Sequence, residues 1–133
     1  MKKLLFSAVL FFAVSFIFAQ TKSPKKNMNH IKKGFVHTVY FWLKEPNSQV
    51  AKDSLYQGLQ LLATVGEIQE GYIGVPAETR RPVIDHSYAY SITFVFKSKA
   101  DQDIYQEHPI HKKFIELYSH LWERVQVYDA TSL

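Results

Sequence analysis

The sequence predicts an α+β domain whose elements run β-α-β-β-α-β, and three observations predict it. Residues 35–44 and 87–97 are crowded with β-branched and aromatic side chains that alternate between two faces, as strands do. Residues 48–65 and 109–124 instead repeat their apolar side chains at helical spacing. Two weaker strands complete the order, one over 70–75 and a short alternating one over 125–128.

The first strand, Phe35 to Lys44, sets Phe35, His37, Val39, Phe41 and Leu43 on one face and Val36, Thr38, Tyr40 and Trp42 on the other. Both faces are largely apolar, so the strand needs cover from two directions. Glu45-Pro46-Asn47 closes it, and Asn47 or Ser48 caps a helix with the stripe Leu55, Leu59, Leu62 and Val65. In the second strand Gly71 and Gly74 mark a bulge or a close approach, and Pro76 ends it. Residues 77–86 have no core pattern and read as a loop suited to cover a site.

In the third strand Tyr88, Tyr90, Ile92, Phe94 and Phe96 share the face expected to meet the core. Ser98 starts a short helix through Gln106, and the chain breaks at His108-Pro109, because an X-Pro step favours an extended residue before a helix start. From Pro109 a long helix is predicted to Arg124, and Val125 to Tyr128 forms the last strand.

This order is the ferredoxin-like arrangement, in which the helices cover one face of a four-stranded sheet. The two-faced first strand then calls for a second copy of the chain on the uncovered face, which predicts a homodimer of face-packed sheets.

Residues 1–19 stand outside this domain. Lys2 and Lys3 precede an apolar run from Leu4 to Phe18, and Ala19 is the small residue a signal peptidase needs, so the segment reads as a signal peptide and the protein as exported, periplasmic or secreted. The run is short for a span, so no stable membrane insertion is expected after cleavage. Residues 20–33, with five lysines, read as a flexible arm, and 34–133 as the folded domain. There is no cysteine, so no disulfide framework. The formal charge of +4 comes from the first 33 residues; from Gly34 onward nine Lys or Arg face twelve Asp or Glu, a net of −3. That balance, with no basic face, excludes nucleic-acid binding.

Chemistry-bearing side chains concentrate in Tyr105-Gln106-Glu107-His108-Pro109-Ile110-His111. A phenol and two imidazoles are the groups that transfer protons near neutrality. In a catalytic reading His111 is a general base that takes a proton alpha to a carbonyl, Tyr105 hydrogen-bonds the oxygen on which charge develops, and His108 orients the base or lines the pocket. In a structural reading His108 satisfies the exposed amides of the helix start, while Tyr105 and His111 hydrogen-bond inside a packed junction. His37 is either a satisfied core histidine or a third member of the site. With His108, Tyr88, Tyr90, Phe94, Phe114, Tyr118 and Trp122 are the candidate walls of a pocket for a small apolar or aromatic ligand. No metal site is assigned, because the histidines lack an H-E-x-x-H or cysteine pattern, and no cofactor is expected.

The strand Phe35-Val36-His37-Thr38-Val39-Tyr40-Phe41, the step Phe94-Val95-Phe96-Lys97-Ser98 with Asp101, and the string Tyr105-x-x-His108-Pro109-x-His111 resemble the stress-responsive dimeric α/β barrel (Dabb) family over roughly 34–128. The resemblance implies a dimeric α+β barrel. One plant branch of the family, similar to olivetolic acid cyclase, closes a linear polyketide by aldol condensation without a cofactor. Its catalytic tyrosine and histidine would fall on Tyr105 and His111, its strand histidine on His37, and its third-strand histidine on Tyr90.

Three functions follow as expectations: an exported homodimeric Dabb-like domain with a stress-associated or small-ligand-binding role and without established catalysis; a cofactor-independent cyclase or lyase using His111 as general base and Tyr105 as oxyanion partner; and, by analogy with other dimeric α+β barrels, an oxygenase or haem-handling protein.

Overall fold

The computed structural model describes residues 34–133, so the signal-peptide and arm readings for 1–19 and 20–33 lie outside the described residues. The elements are β1 (Phe35–Leu43), α1 (Gln49–Leu62), β2 (Ile68–Gly74), β3 (Tyr90–Phe96), α2 (Lys99–Glu107), α3 (Pro109–Tyr118) and, after a 3-10 turn at Ser119–Leu121, β4 (Trp122–Thr131). The strands form one antiparallel sheet in the order β2-β3-β1-β4, with β1 paired to both β3 and β4. This is the ferredoxin-like arrangement, with the second helical region split in two.

Strand alternation builds the core. Val39, Phe41 and Leu43 of β1 and Ile92, Phe94 and Phe96 of β3 all project toward the helices and are buried against Leu55, Leu59 and Leu62 of α1, Tyr105 of α2 and Phe114 of α3. Burial of each such side chain stabilises the fold by about 1.5–3 kcal/mol. Ser48 caps α1 by accepting from the Ala51 N–H at 3.2 Å. Gly58 lets α3 lie close on α1, since a Cβ there would fall 2.7 Å from the Tyr118 ring.

The bounds of the last two elements and the face of Tyr88 are corrected. The last helix ends at Tyr118 instead of Arg124, and the last strand runs over Trp122–Thr131 instead of Val125–Tyr128. Lys44 N–H donates to the Leu121 carbonyl at 3.0 Å, tying the turn to the end of β1. Residues 77–86, read as a loop suited to cover a site, belong to a connection over 75–89 that lies on the sheet face opposite the helices, with Ile84, Asp85 and Tyr88 beside Thr38, Tyr40 and Trp42. Trp42 Nε1–H donates to Ser87 Oγ at 2.8 Å, and Ala89 N–H to the Phe41 carbonyl at 2.8 Å. Tyr88 therefore precedes β3 and packs on Tyr40, with ring centroids 4.9 Å apart, so it does not share the core face of Ile92 and Phe94.

Candidate functional site

The α2–α3 junction follows from its residues. Ser98 caps α2 by accepting from the Asp101 N–H at 3.3 Å. His108 leaves the helix with φ −62° and ψ 138°, the extended geometry favoured before proline, and Pro109 opens α3. The His108 Nδ1 accepts from the Ile110 N–H at 3.1 Å, so this imidazole is the N-cap of α3. Its task is the one the structural reading gave it, and it does not line the cavity described below. His108→Ala is expected to lower stability by about 1 kcal/mol, with His108→Asn retaining most of it. Thermal unfolding checks this, and equal losses in the two variants would remove the capping role.

Tyr105 points from α2 into the core, at 1% exposure. Its ring meets Phe94 and Phe96 on one side, His37 at 5.9 Å and His111 at 4.9 Å between centroids. No partner for its hydroxyl occurs among the described residues. His37 reaches the same place from the middle of β1. Its Nδ1 faces the Asp129 Oδ1 at 2.6 Å, across the β1–β4 ladder where the two residues are direct partners. A carboxylate on Nδ1 fixes the ring's tautomer and orientation, leaving Nε2 as its second functional nitrogen.

Between α3 and β4 these side chains border a cavity of about 400 Å³. His111, Ile115 and Ser119, at the i, i+4, i+8 spacing of one helix face, form one wall, and Val125 and Val127 of β4 the other. His37, Val39 and Phe41 lie along β1 beneath, and Phe114 and Trp122, stacked at 5.5 Å, close the apolar end. Ile115 and Val127, each 42% exposed, mark the mouth. The space therefore has a polar end, made by His37, Tyr105, Gln106 and His111, and an apolar body.

Burial pushes the Tyr105 phenol well above its ordinary 10.0, so it remains a hydrogen-bond donor. Burial lowers the His111 imidazole below its ordinary 6.5, and the neighbouring His37 adds to this, while the Gln106 backbone and Glu107 act the other way. His111 is thus kept neutral, the form that accepts a proton.

Of the predicted site residues, the structure brings together His37, Tyr105, His111, Phe114 and Trp122 at one cavity. Phe94 is fully buried behind Tyr105. Tyr90 stacks on Tyr56 of α1 at 6.0 Å, Tyr118 packs against Phe114 and Gly58, and Tyr88 sits on the other face of the sheet. These four, like His108, are not walls of this cavity. Asp129, Gln106, Ile115 and Ser119 are the residues sequence reasoning missed. The helix spacing from His111 gives Ile115 and Ser119, whereas Asp129 needs the strand register. Among the described residues no cluster of His, Asp and Glu side chains is arranged to hold a metal ion.

A family model for the stress responsive A/B barrel domain (Dabb) matches residues 35–132. Among solved structures, a Dabb family protein with a ferredoxin-like fold from Mesorhizobium loti is similar at 20% identity and TM-score 0.63, over 77% of this chain and 99% of its own. Hydroxynitrile lyase from Passiflora edulis is similar at 19% identity and TM-score 0.63, over 76% and 94%. A dimeric ferredoxin-like protein of unknown function from Thermobifida fusca is similar at 14% identity and TM-score 0.61, over 80% and 97%. These likenesses establish the fold. No curated protein matches the chain.

Proposed function

The chain belongs to the stress responsive A/B barrel domain family, and from that premise we propose that it is an exported homodimer whose cavity binds a small apolar or aromatic carbonyl compound and moves protons on it. The observation that carries this reading is the convergence of His37, Tyr105 and His111 on one end of an otherwise apolar cavity of about 400 Å³.

The chemistry follows from the groups. Neutral His111 takes a proton from the carbon next to the carbonyl; the C–H pair becomes a C=C bond, the carbonyl π pair moves onto the oxygen, and the imidazole becomes an imidazolium. Tyr105, kept protonated by burial, donates a hydrogen bond to that oxygen as its charge grows. His37, held through Nδ1 by Asp129, supports the same oxygen or relays the proton. The apolar body accepts the flat or aliphatic remainder of the ligand. A lyase among the structural neighbours supports acid–base chemistry on this fold.

The dimer is supported by the dimeric neighbour and by the open sheet face, where Tyr72 and Tyr128 are 64% and 60% exposed. Light scattering at micromolar concentration should give twice the mature mass, and a monomer would refute it. Export rests on residues 1–19; recovery of the protein from the periplasm or medium with its start near Gln20 is expected, and a cytoplasmic protein retaining Met1 would reject it.

The activity is tested by proton exchange. Acetophenone in D₂O should lose its methyl protons faster with the protein than in buffer, as read by NMR. If neither acetophenone nor a straight-chain methyl ketone exchanges faster than in buffer, the catalytic reading falls and ligand binding alone remains.

A further inference from the structure

Proton transfer needs one base, yet the cavity between the helices and the sheet presents two imidazoles, and they reach it from different layers. His111 stands on α3, on the helix side, and His37 on β1, in the sheet that floors the space, with the Tyr105 ring beside both. A flat ligand lying between helix and sheet therefore has one imidazole toward each of its faces. Every side-chain nitrogen and oxygen shut off from solvent among the described residues has a hydrogen-bond partner. His37 Nε2 and the Tyr105 hydroxyl have no partner among them, so both open onto the cavity they line.

The two rings are set for opposite tasks. The Asp129 carboxylate, 2.6 Å from His37 Nδ1, balances the charge that this ring carries when both nitrogens hold protons, and Nε2 then presents a proton to the cavity. His111 lacks such support. The neighbouring Glu107 carboxylate is engaged by Lys112 at 2.7 Å, and burial keeps His111 in its neutral, accepting form. Tyr105 already serves the carbonyl oxygen, which leaves His37 free to act on carbon.

We propose that His111 and His37 work as a pair that inverts the configuration of the carbon next to the carbonyl, making the protein an epimerase of small α-substituted ketones. The inference rests on the proton-transfer reading of this cavity. His111 takes the α-proton on the helix side; the C–H pair becomes the C=C bond of the enolate, and the carbonyl π pair moves onto the oxygen beside Tyr105. His37 Nε2–H delivers its proton to the sheet side; the C=C pair forms the new C–H bond, and the carbonyl is restored. The carbon is left inverted, His111 protonated and His37 neutral, and proton exchange with water resets both rings. Nothing is oxidised or reduced.

The test follows each antipode of methyl α-methylbenzyl ketone in D₂O with the mature protein, reading inversion by chiral chromatography and α-deuteration by NMR. Inversion faster than in buffer is expected from both antipodes, with deuterium on every inverted carbon. His37→Gln should lower the ratio of inversion to α-exchange at least about tenfold. Asp129→Asn should shift the ratio the same way; its side chain is 44% exposed, so it carries the test if His37→Gln does not fold. Exchange without inversion overturns the pair and leaves the single base standing, whereas absence of exchange removes both. Exchange and inversion falling together in the variants, at an unchanged ratio, would make His37 a support for the oxygen and overturn its role as the second proton carrier.

Discussion

His111→Ala is expected to lower the proposed acceleration of acetophenone proton exchange by about 10²–10⁴-fold, the range that a positioned general base contributes. The variant should keep its fold, because His111 is only half-buried and lies on the cavity wall. The pH profile gives the sharper readout. Exchange depends on neutral His111, so the rate rises with pH through the imidazole's pKa and then levels. Burial lowers that pKa, and the acidic midpoint is therefore expected below the ordinary 6.5. Stability follows the same sign: a folded-state pKa below the unfolded one makes the contribution present above about 6.5 and lost as pH falls through the folded value. No alkaline loss tied to Tyr105 is expected below the ordinary phenol value of 10.0. A midpoint above 6.5, or a profile unchanged by His111→Ala, would assign the base to another group.

The contrast between the two ends of the chain explains what could be read beforehand. Ser87 to Lys97 alternates without ambiguity, and β1 declares its two faces, so the sheet and its core side chains were visible. The end of α3 was not. Phe114, Tyr118 and Trp122 stand at helical spacing and invite a helix to Arg124, yet Trp122 stacks on Phe114 at 5.5 Å after the chain has already turned into β4. The same aromatic contact serves a continued helix and a turn, so spacing alone cannot choose. Once the strand was cut short at Tyr128, Asp129 fell outside it. Its partnership with His37 is a cross-strand pair set by register, and register is a tertiary property. Tyr88 failed for a related reason: alternation carried its face forward from β3, but the strand ends at Tyr90 and Tyr88 packs on Tyr40 of the opposite face.

The proposed homodimer would depend on the face of the sheet opposite the helices. The residues opposite the core on β1, Val36, Thr38, Tyr40 and Trp42, are only half-buried in the single chain. The 75–89 connection packs on the Tyr40–Trp42 end through Ser87 and Tyr88, and the remainder is surface that a second copy would remove from water.

Tyr105 separates packing from chemistry, and the two substitutions there should part company. Tyr105→Ala removes a fully buried ring that touches Phe94, Phe96, His37 and His111, and should cost about 3–5 kcal/mol, as large aromatic truncations in cores do. Against a total stability of about 5–15 kcal/mol for such a domain, this lowers the melting temperature by about 15 °C or more, or prevents folding outright. Tyr105→Phe keeps the ring and deletes a hydroxyl that has no protein partner among the described residues. It should change stability by less than about 1 kcal/mol, because no intramolecular hydrogen bond is broken. Its cost should appear in turnover, where the lost donor to the developing oxyanion lowers exchange by about 10²–10³-fold. Calorimetry and the exchange assay on both variants decide the matter. If Tyr105→Phe exchanged protons at the wild-type rate, the phenol would be a core side chain bordering a ligand cavity, and the oxyanion would have to be held by His37 or Gln106 instead.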